Sequence, residues 1–189
     1  MTATPAPDAQ PTRCAWVPLN DELYVCYHDA EWGTPSHDEV HLYEMFLLEF
    51  FQAGLSWRLL LHKRENFRRA FDGFDPAKVA DYDETKVAEL MQNAGIVRSE
   101  GKIRAAIGNA RVFLDIQREF GSFDAYIWGF TNGKTVTLPP EVTRNELSDI
   151  VSDDLKKRGC KYAGSVSVFS FLQAIGIIDS HEPGCFRAR

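Results

Sequence analysis

Apolar residues recur at three- and four-residue intervals along nearly all of this chain, and stripes of that period are buried by packing helix against helix. Between Asp38 and Gln52 the repeat runs through Leu42, Met45 and Phe46 and on to Ala53. Gly54 interrupts it, Ser56 supplies an N-cap, and a second helix is expected from Trp57 to Phe71. Asp75-Pro76 opens a short helix, because proline suits the first helical position. Asp83 caps another that runs through Leu90 and Met91 to Ala94. Gly95 marks a turn, and a long helix follows from Gly101 to Phe120. Two more are expected over Glu146–Arg158 and Val166–Ile175. One segment, Lys134–Leu138 (KTVTL), alternates like a strand, and it stands alone. The fold class is all-α.

The first twelve residues, MTATPAPDAQPT, lack the basic region and apolar run of a signal peptide and read as a disordered tail. Residues 13–189 read as one compact unit. Trp128–Arg144, rich in Gly, Pro and Thr, can divide it into two helical lobes. No stretch nears the roughly 20 apolar residues of a membrane span. The chain reads as cytoplasmic, where thiols stay reduced, so its four cysteines are thiols or metal ligands rather than disulfides. With 21 basic and 27 acidic residues the net charge is -6, which argues at first sight against a nucleic-acid partner. The charge is unevenly spread, however. Basic runs at Arg58–Arg69, Arg98–Arg111 and Lys156–Lys161 stand apart from the acids of Asp72–Glu89, so a local basic face is compatible with the negative total.

Two ends of the chain carry the makings of a metal site. Cys14 and His28 lie near the N-terminus, and His181 and Cys185, spaced H-x3-C, lie near the C-terminus. Two thiolates and two imidazoles suit tetrahedral zinc, and a site filled by four protein ligands is structural rather than catalytic. Such a clip would close a loop of most of the protein. The spacing C-x13-H is not that of a zinc finger, and the cysteines can equally be small buried apolar residues with His28 on the surface. Both readings stand on spacing alone.

The sharpest anomaly is Glu49 in YEMFLLEFFQAGLSW. It shares the apolar stripe of Leu42, Met45, Phe46 and Ala53, where an unpaired carboxylate is costly. It is either half of a buried ion pair, or bonded to backbone at a helix end, or a carboxylate lining an apolar pocket. Trp57 after the Gly-Leu-Ser turn, with Tyr24 and Tyr27 nearby in sequence to His28, favours a pocket for a flat, electron-poor heterocycle, since aromatic faces attract positive charge.

Taken together, RCAWV, YHDAEWG, LEFFQAGLSW, KREN at Lys63–Asn66, NAGIVRSEGKI, IGNAR, LKKRGCKYAGS and FLQAIGIIDSH resemble the 3-methyladenine DNA glycosylase I family, in order from Arg13 to Cys185. The resemblance implies an all-α helix-hairpin-helix DNA glycosylase fold with one structural zinc on Cys14, His28, His181 and Cys185. It implies a base pocket of Glu49, Tyr27 and Trp57, with Tyr24 and Trp16 as further walls and Glu49 as the key acid. It puts the hairpin at Asn93–Lys102, with Gly95, Gly101 and Lys102 toward the DNA, and Gly54 and Leu55 probing the stack vacated by the base. The implied reaction is hydrolysis of the N-glycosidic bond of 3-methyladenine in alkylated double-stranded DNA by a monomer acting at the nucleoid, with no nucleotide cofactor. No lysine is placed for a Schiff base, so no strand-cutting activity is expected. Where the family usually has glycine after the pocket glutamate, this chain has Phe50, which either packs outward or reshapes the pocket wall. A non-catalytic module of the same fold that binds alkylated DNA, its pocket blocked by Phe50, is the alternative.

Overall fold

The computed structural model describes residues 11–189. The expected tail therefore lies outside the described residues over its first ten positions. At its end, the Phe186 N–H donates to the Thr12 carbonyl at 2.8 Å, so the two ends of the described residues meet.

The helices are α1 (Glu22–Ala30), α2 (Glu39–Gln52), α3 (Trp57–Ala70), α4 (Pro76–Ala80) and α5 (Glu84–Gln92), then α6 (Glu100–Phe120), α7 (Phe123–Gly129), α8 (Glu146–Lys157) and α9 (Ser165–Ala174). Local chemistry explains the starts. Asp38, Ser56, Asp75 and Asp83 each accept a backbone N–H as N-cap, and of these Ser56 and Asp83 are the caps expected from sequence. Asn145 forms a reciprocal capping box with Ser148. Two helices went unforeseen. α1 is short and its first turn is set by Asp21, while α7 has three aromatics in seven residues and is capped locally by Ser122, which accepts the Ala125 N–H at 2.9 Å. Glu39 accepts the Phe123 and Asp124 N–H groups at 3.2 and 2.7 Å, capping α7 from the start of α2.

The isolated-strand expectation is corrected. β1 (Val136–Thr137) pairs in parallel with β2 (Ile178–Asp179), and Leu138 N–H extends the ladder to the Asp179 carbonyl at 2.9 Å. The partner segment, GIID, carries no alternation that would reveal it. This small ladder fixes the approach to His181.

α2 is the axis of the molecule. Ten consecutive residues, Leu42 to Phe51, are buried, and it packs against α3, α6, α7 and α9. A helix buried on every side has no solvent face on which to place a charge. Phe46 sits at the centre of an aromatic cluster with Phe50, Phe113, Phe123 and Phe171. Phe50 neither turns outward nor lines the candidate pocket; it lies inside this cluster, 4.6 Å from Phe46 between ring centroids. Close approach of α9 to residues 33–36 requires Gly176, whose φ is +76° and where a Cβ would fall 2.2 Å from the Thr34 carbonyl carbon. No helix of the described residues is long and apolar enough to cross a membrane.

Candidate active site

α2 aims Glu49 into a cavity of about 170 Å³ lined by Trp16, Tyr24, Tyr27, Trp32, Gln52 and Trp57, with Ser170 and Gln173 of α9 closing it. All five residues expected of the pocket are thus brought together. Glu49 is buried, sits within α2 rather than at its end, and no hydrogen-bond donor among the described residues reaches its Oε2. Burial pushes its carboxyl up to about 8. The indole Nε1 of Trp57 is likewise buried without a partner among the described residues. Orphaned buried polar atoms are rare and costly, and here an acceptor and a donor face one cavity. The Tyr27 hydroxyl is raised well above its usual range by burial and then by Glu49, so it stays protonated as a donor. Tyr27 and Trp57 rings stand 5.1 Å apart at 44°, and Trp16 meets Tyr24 edge-on at 5.8 Å.

The buried ion pair that sequence offered as one fate for Glu49 belongs to Glu44 instead. Glu44 accepts from Arg64 Nε at 2.8 Å and Arg68 Nη2 at 2.7 Å, while Arg64 Nη1 also grips both oxygens of Glu31 at 2.8 Å. Glu49 has no such cation among the described residues.

Sequence reasoning missed Trp32, Gln52, Ser170 and Gln173. Each left a trace: Trp32 lies in the YHDAEWG string, Gln52 is one turn beyond Glu49, and Ser170 and Gln173 are polar at three-residue spacing in the apolar later part of α9.

Behind the aromatic wall lies the terminal cluster. Ligand atoms of Cys14, His28 and Cys185, all buried, lie within 4.8 Å of one another. His181 stands outside that group, its ring centroid 5.2 Å from that of His28. Its Nδ1 meets Asp179 Oδ1 at 2.6 Å, and its buried Nε2 has no partner. His28 is oriented the same way, Nδ1 against Asp29 Oδ1 at 2.8 Å. Both imidazoles therefore have a carboxylate on one nitrogen, the arrangement that orients metal-bound histidines, and the other nitrogen of His28 meets Cys185 Sγ at 3.5 Å. The sulfurs of Cys14 and Cys185 accept backbone N–H groups from Glu182 and Arg187. Gly33 admits His181, since a Cβ there would fall 2.7 Å from its ring. The donor set fits a soft divalent cation. Trp16 and Trp32 stand between the two sites, at 5.2 Å from His28 and 4.6 Å from His181.

The residues expected to meet DNA divide. Gly54 and Leu55 form the exposed turn between α2 and α3. Gly95 lies in the connection from α5 to α6, where a Cβ would press on Asn93 and Asn66 at 2.9–3.2 Å, and Lys63 Nζ donates to the Ala94 and Gly95 carbonyls. Gly101, the second residue of α6, lies under the Tyr162 hydroxyl. Lys102 turns inward, donating to the Phe51 and Ala53 carbonyls at 2.6 Å and so closing the end of α2. A second short connection, 158–164, joins α8 to α9; buried Asn109 clamps it by two hydrogen bonds to the Lys161 backbone.

Comparison with known proteins agrees with this geometry. The family model for methyladenine glycosylase matches residues 16–188. The DNA-3-methyladenine glycosylase 1 of Escherichia coli (strain K12) is 46% identical over 178 residues, 92% of this chain and 95% of its own. A crystal structure of 3-methyladenine DNA glycosylase I superposes with a TM-score of 0.90 at 43% identity, covering 94% of this chain and all of that one. The enzyme from Staphylococcus aureus, solved to show how it recognises 3-methyladenine, gives 0.88 at 36% identity over 92% of this chain and 95% of its own. The chain belongs to the methyladenine glycosylase family.

Proposed function

We propose that the protein removes 3-methyladenine from alkylated double-stranded DNA by hydrolysing its N-glycosidic bond and leaving an abasic site. The observation that carries this is the unpartnered pair in the pocket, the Glu49 carboxyl and the Trp57 indole N–H, set among aromatic rings. A base within the duplex is out of reach, so the nucleotide is extruded into the cavity at a cost of about a few kcal/mol. Methylation at N3 leaves the adenine ring cationic, and a cation-bearing purine is already a good leaving group. Trp57, Tyr24 and Trp16 offer their faces to that ring, Tyr27 and Trp57 offer donors, and Glu49 ionises against it. The C1′–nitrogen bond breaks with its electron pair leaving on the base, and water adds its oxygen to C1′ and gives up a proton. Unmethylated adenine brings no charge to balance a buried carboxylate. Phe50, away from the pocket, leaves this site open, which argues against a module that binds without cleaving.

One zinc ion would be held by Cys14, His28, His181 and Cys185, where it would supply a fixed tie between the termini. The DNA face comprises the Gly54–Leu55 turn, the Gly95–Gly101 connection and the 158–164 connection. The helices α6 and α9 start without a side-chain cap, leaving first-turn N–H groups for phosphates, in the manner of a helix-hairpin-helix element. Arg98 and Lys161 take no carboxylate partner among the described residues. Release of free base from N-methylated duplex DNA tests the proposal: 3-methyladenine in the supernatant and abasic sites in the duplex are expected, and an intact duplex overturns it.

A further inference from the structure

Outside the pocket, one buried carboxylate joins the two helices that carry its aromatic walls. Tyr24 and Tyr27 stand on α1, and Trp57 is the first residue of α3. Asp21 is the N-cap of α1, its Oδ1 accepting the Tyr24 N–H at 3.3 Å. Its Oδ2 accepts Arg58 Nε at 2.7 Å and meets His62 Nε2 at 2.8 Å. Arg58 follows Trp57 directly, and His62 lies one turn further along the same helix. One carboxyl thus serves the first turns of both helices, and its side chain is only 3% exposed, although Arg58 and His62 are about half exposed. The far end of α1 is tied to the same partner, through Glu31 and Arg64. The Tyr27 and Trp57 rings, one from each of these helices, stand 5.1 Å apart. Asp21 itself lines no part of the cavity.

We propose that Asp21 is a positioning residue for base recognition, setting the spacing and tilt of the α1 tyrosines against Trp57 through Arg58 and His62. This rests on the cavity being the base pocket. A cap alone would stabilise α1 without reference to α3; the second oxygen, committed wholly to α3, is what makes Asp21 a clamp. Misplacing a binding group by a fraction of its contact distance is costly in recognition even when the fold survives.

Serine separates the two duties, because it can cap α1 but is too short to reach Arg58 and His62. Free 3-methyladenine is titrated by tryptophan fluorescence, a measurement that involves no phosphate contact, alongside thermal melting. The wild type binds. Asp21→Ala loses both stability and affinity. Asp21→Ser regains most of the stability, while its affinity stays lower than wild type by roughly tenfold. An Arg58→Ala/His62→Ala double variant, with the cap untouched, shows the same loss of affinity. Wild-type affinity in Asp21→Ser or in the double variant overturns the clamp and leaves the pocket standing. A wild type that neither binds the base nor excises it brings down the pocket reading and the clamp with it.

Discussion

Glu49 is a carboxyl buried without a cation, and burial alone lifts it to about 8. Its effect on stability has a definite sign. As pH rises past the ordinary carboxylate range the unfolded chain ionises while the folded one holds its proton, so stability is lost progressively until about pH 8. Glu49→Gln removes that titration. Between pH 5 and 8 the melting temperature of the variant is expected to fall less steeply than that of the wild type, with helical content unchanged by circular dichroism. Parallel curves would contradict the buried, unpaired carboxyl. Trp57→Phe separates the ring from its N–H: fluorescence-independent calorimetry with free 3-methyladenine should show weaker binding, by about 1–3 kcal/mol if the indole donor meets the base. Both residues were legible in sequence for one reason, that a charge or an indole at a turn is conspicuous against apolar neighbours. Gln52, Ser170 and Gln173 escaped because a polar residue at helical spacing looks the same whether it faces water or a cavity.

At the scale of elements, α2 is anchored to α3 by Glu44 with Arg64 and Arg68, an ion pair with Glu44 almost wholly buried. Removing one partner of such a pair leaves a desolvated charge, so Glu44→Ala is expected to cost about 3–5 kcal/mol in urea denaturation. A loss below about 1 kcal/mol would show that solvent screens it. Seven helix starts followed from period, capping residues and breakers, because those signals are local. α7 did not: it has a local N-cap in Ser122, but its seven residues are too few to show a helical period, and two of its first N–H groups go to Glu39 on a distant element. The β1–β2 ladder was half legible for the same reason: Val136–Thr137 alternates, whereas Ile178–Asp179 is buried on both residues and carries no period. The basic run Arg58–Arg69 also changed meaning. Arg58, Arg64 and Arg68 pair with carboxylates, and Lys63 holds the turn at Gly95, so most of that charge is engaged by groups of the protein itself.

For the whole molecule, the termini are brought together by the Phe186–Thr12 backbone hydrogen bond and by the Cys14, His28 and Cys185 cluster. His28 of that cluster and the neighbouring His181 touch Trp16 and Trp32, so the tie between chain ends supports the pocket wall. Metal analysis is expected to find one zinc per chain, and a chelator to lower the melting temperature and weaken base binding together; a chelator-resistant protein without metal would refute the tie. The net charge of -6 does not oppose DNA binding, since only the surface around one cavity need be basic. Binding to undamaged duplex should be weak and fall steeply with salt. The central claim, that this cavity excises a cationic base through Glu49, is tested most directly by timing the release of free 3-methyladenine from methylated duplex DNA by wild type and Glu49→Gln side by side. Rapid release by the wild type and a drop of about 100-fold in the variant are predicted. Equal rates in the two proteins would contradict it.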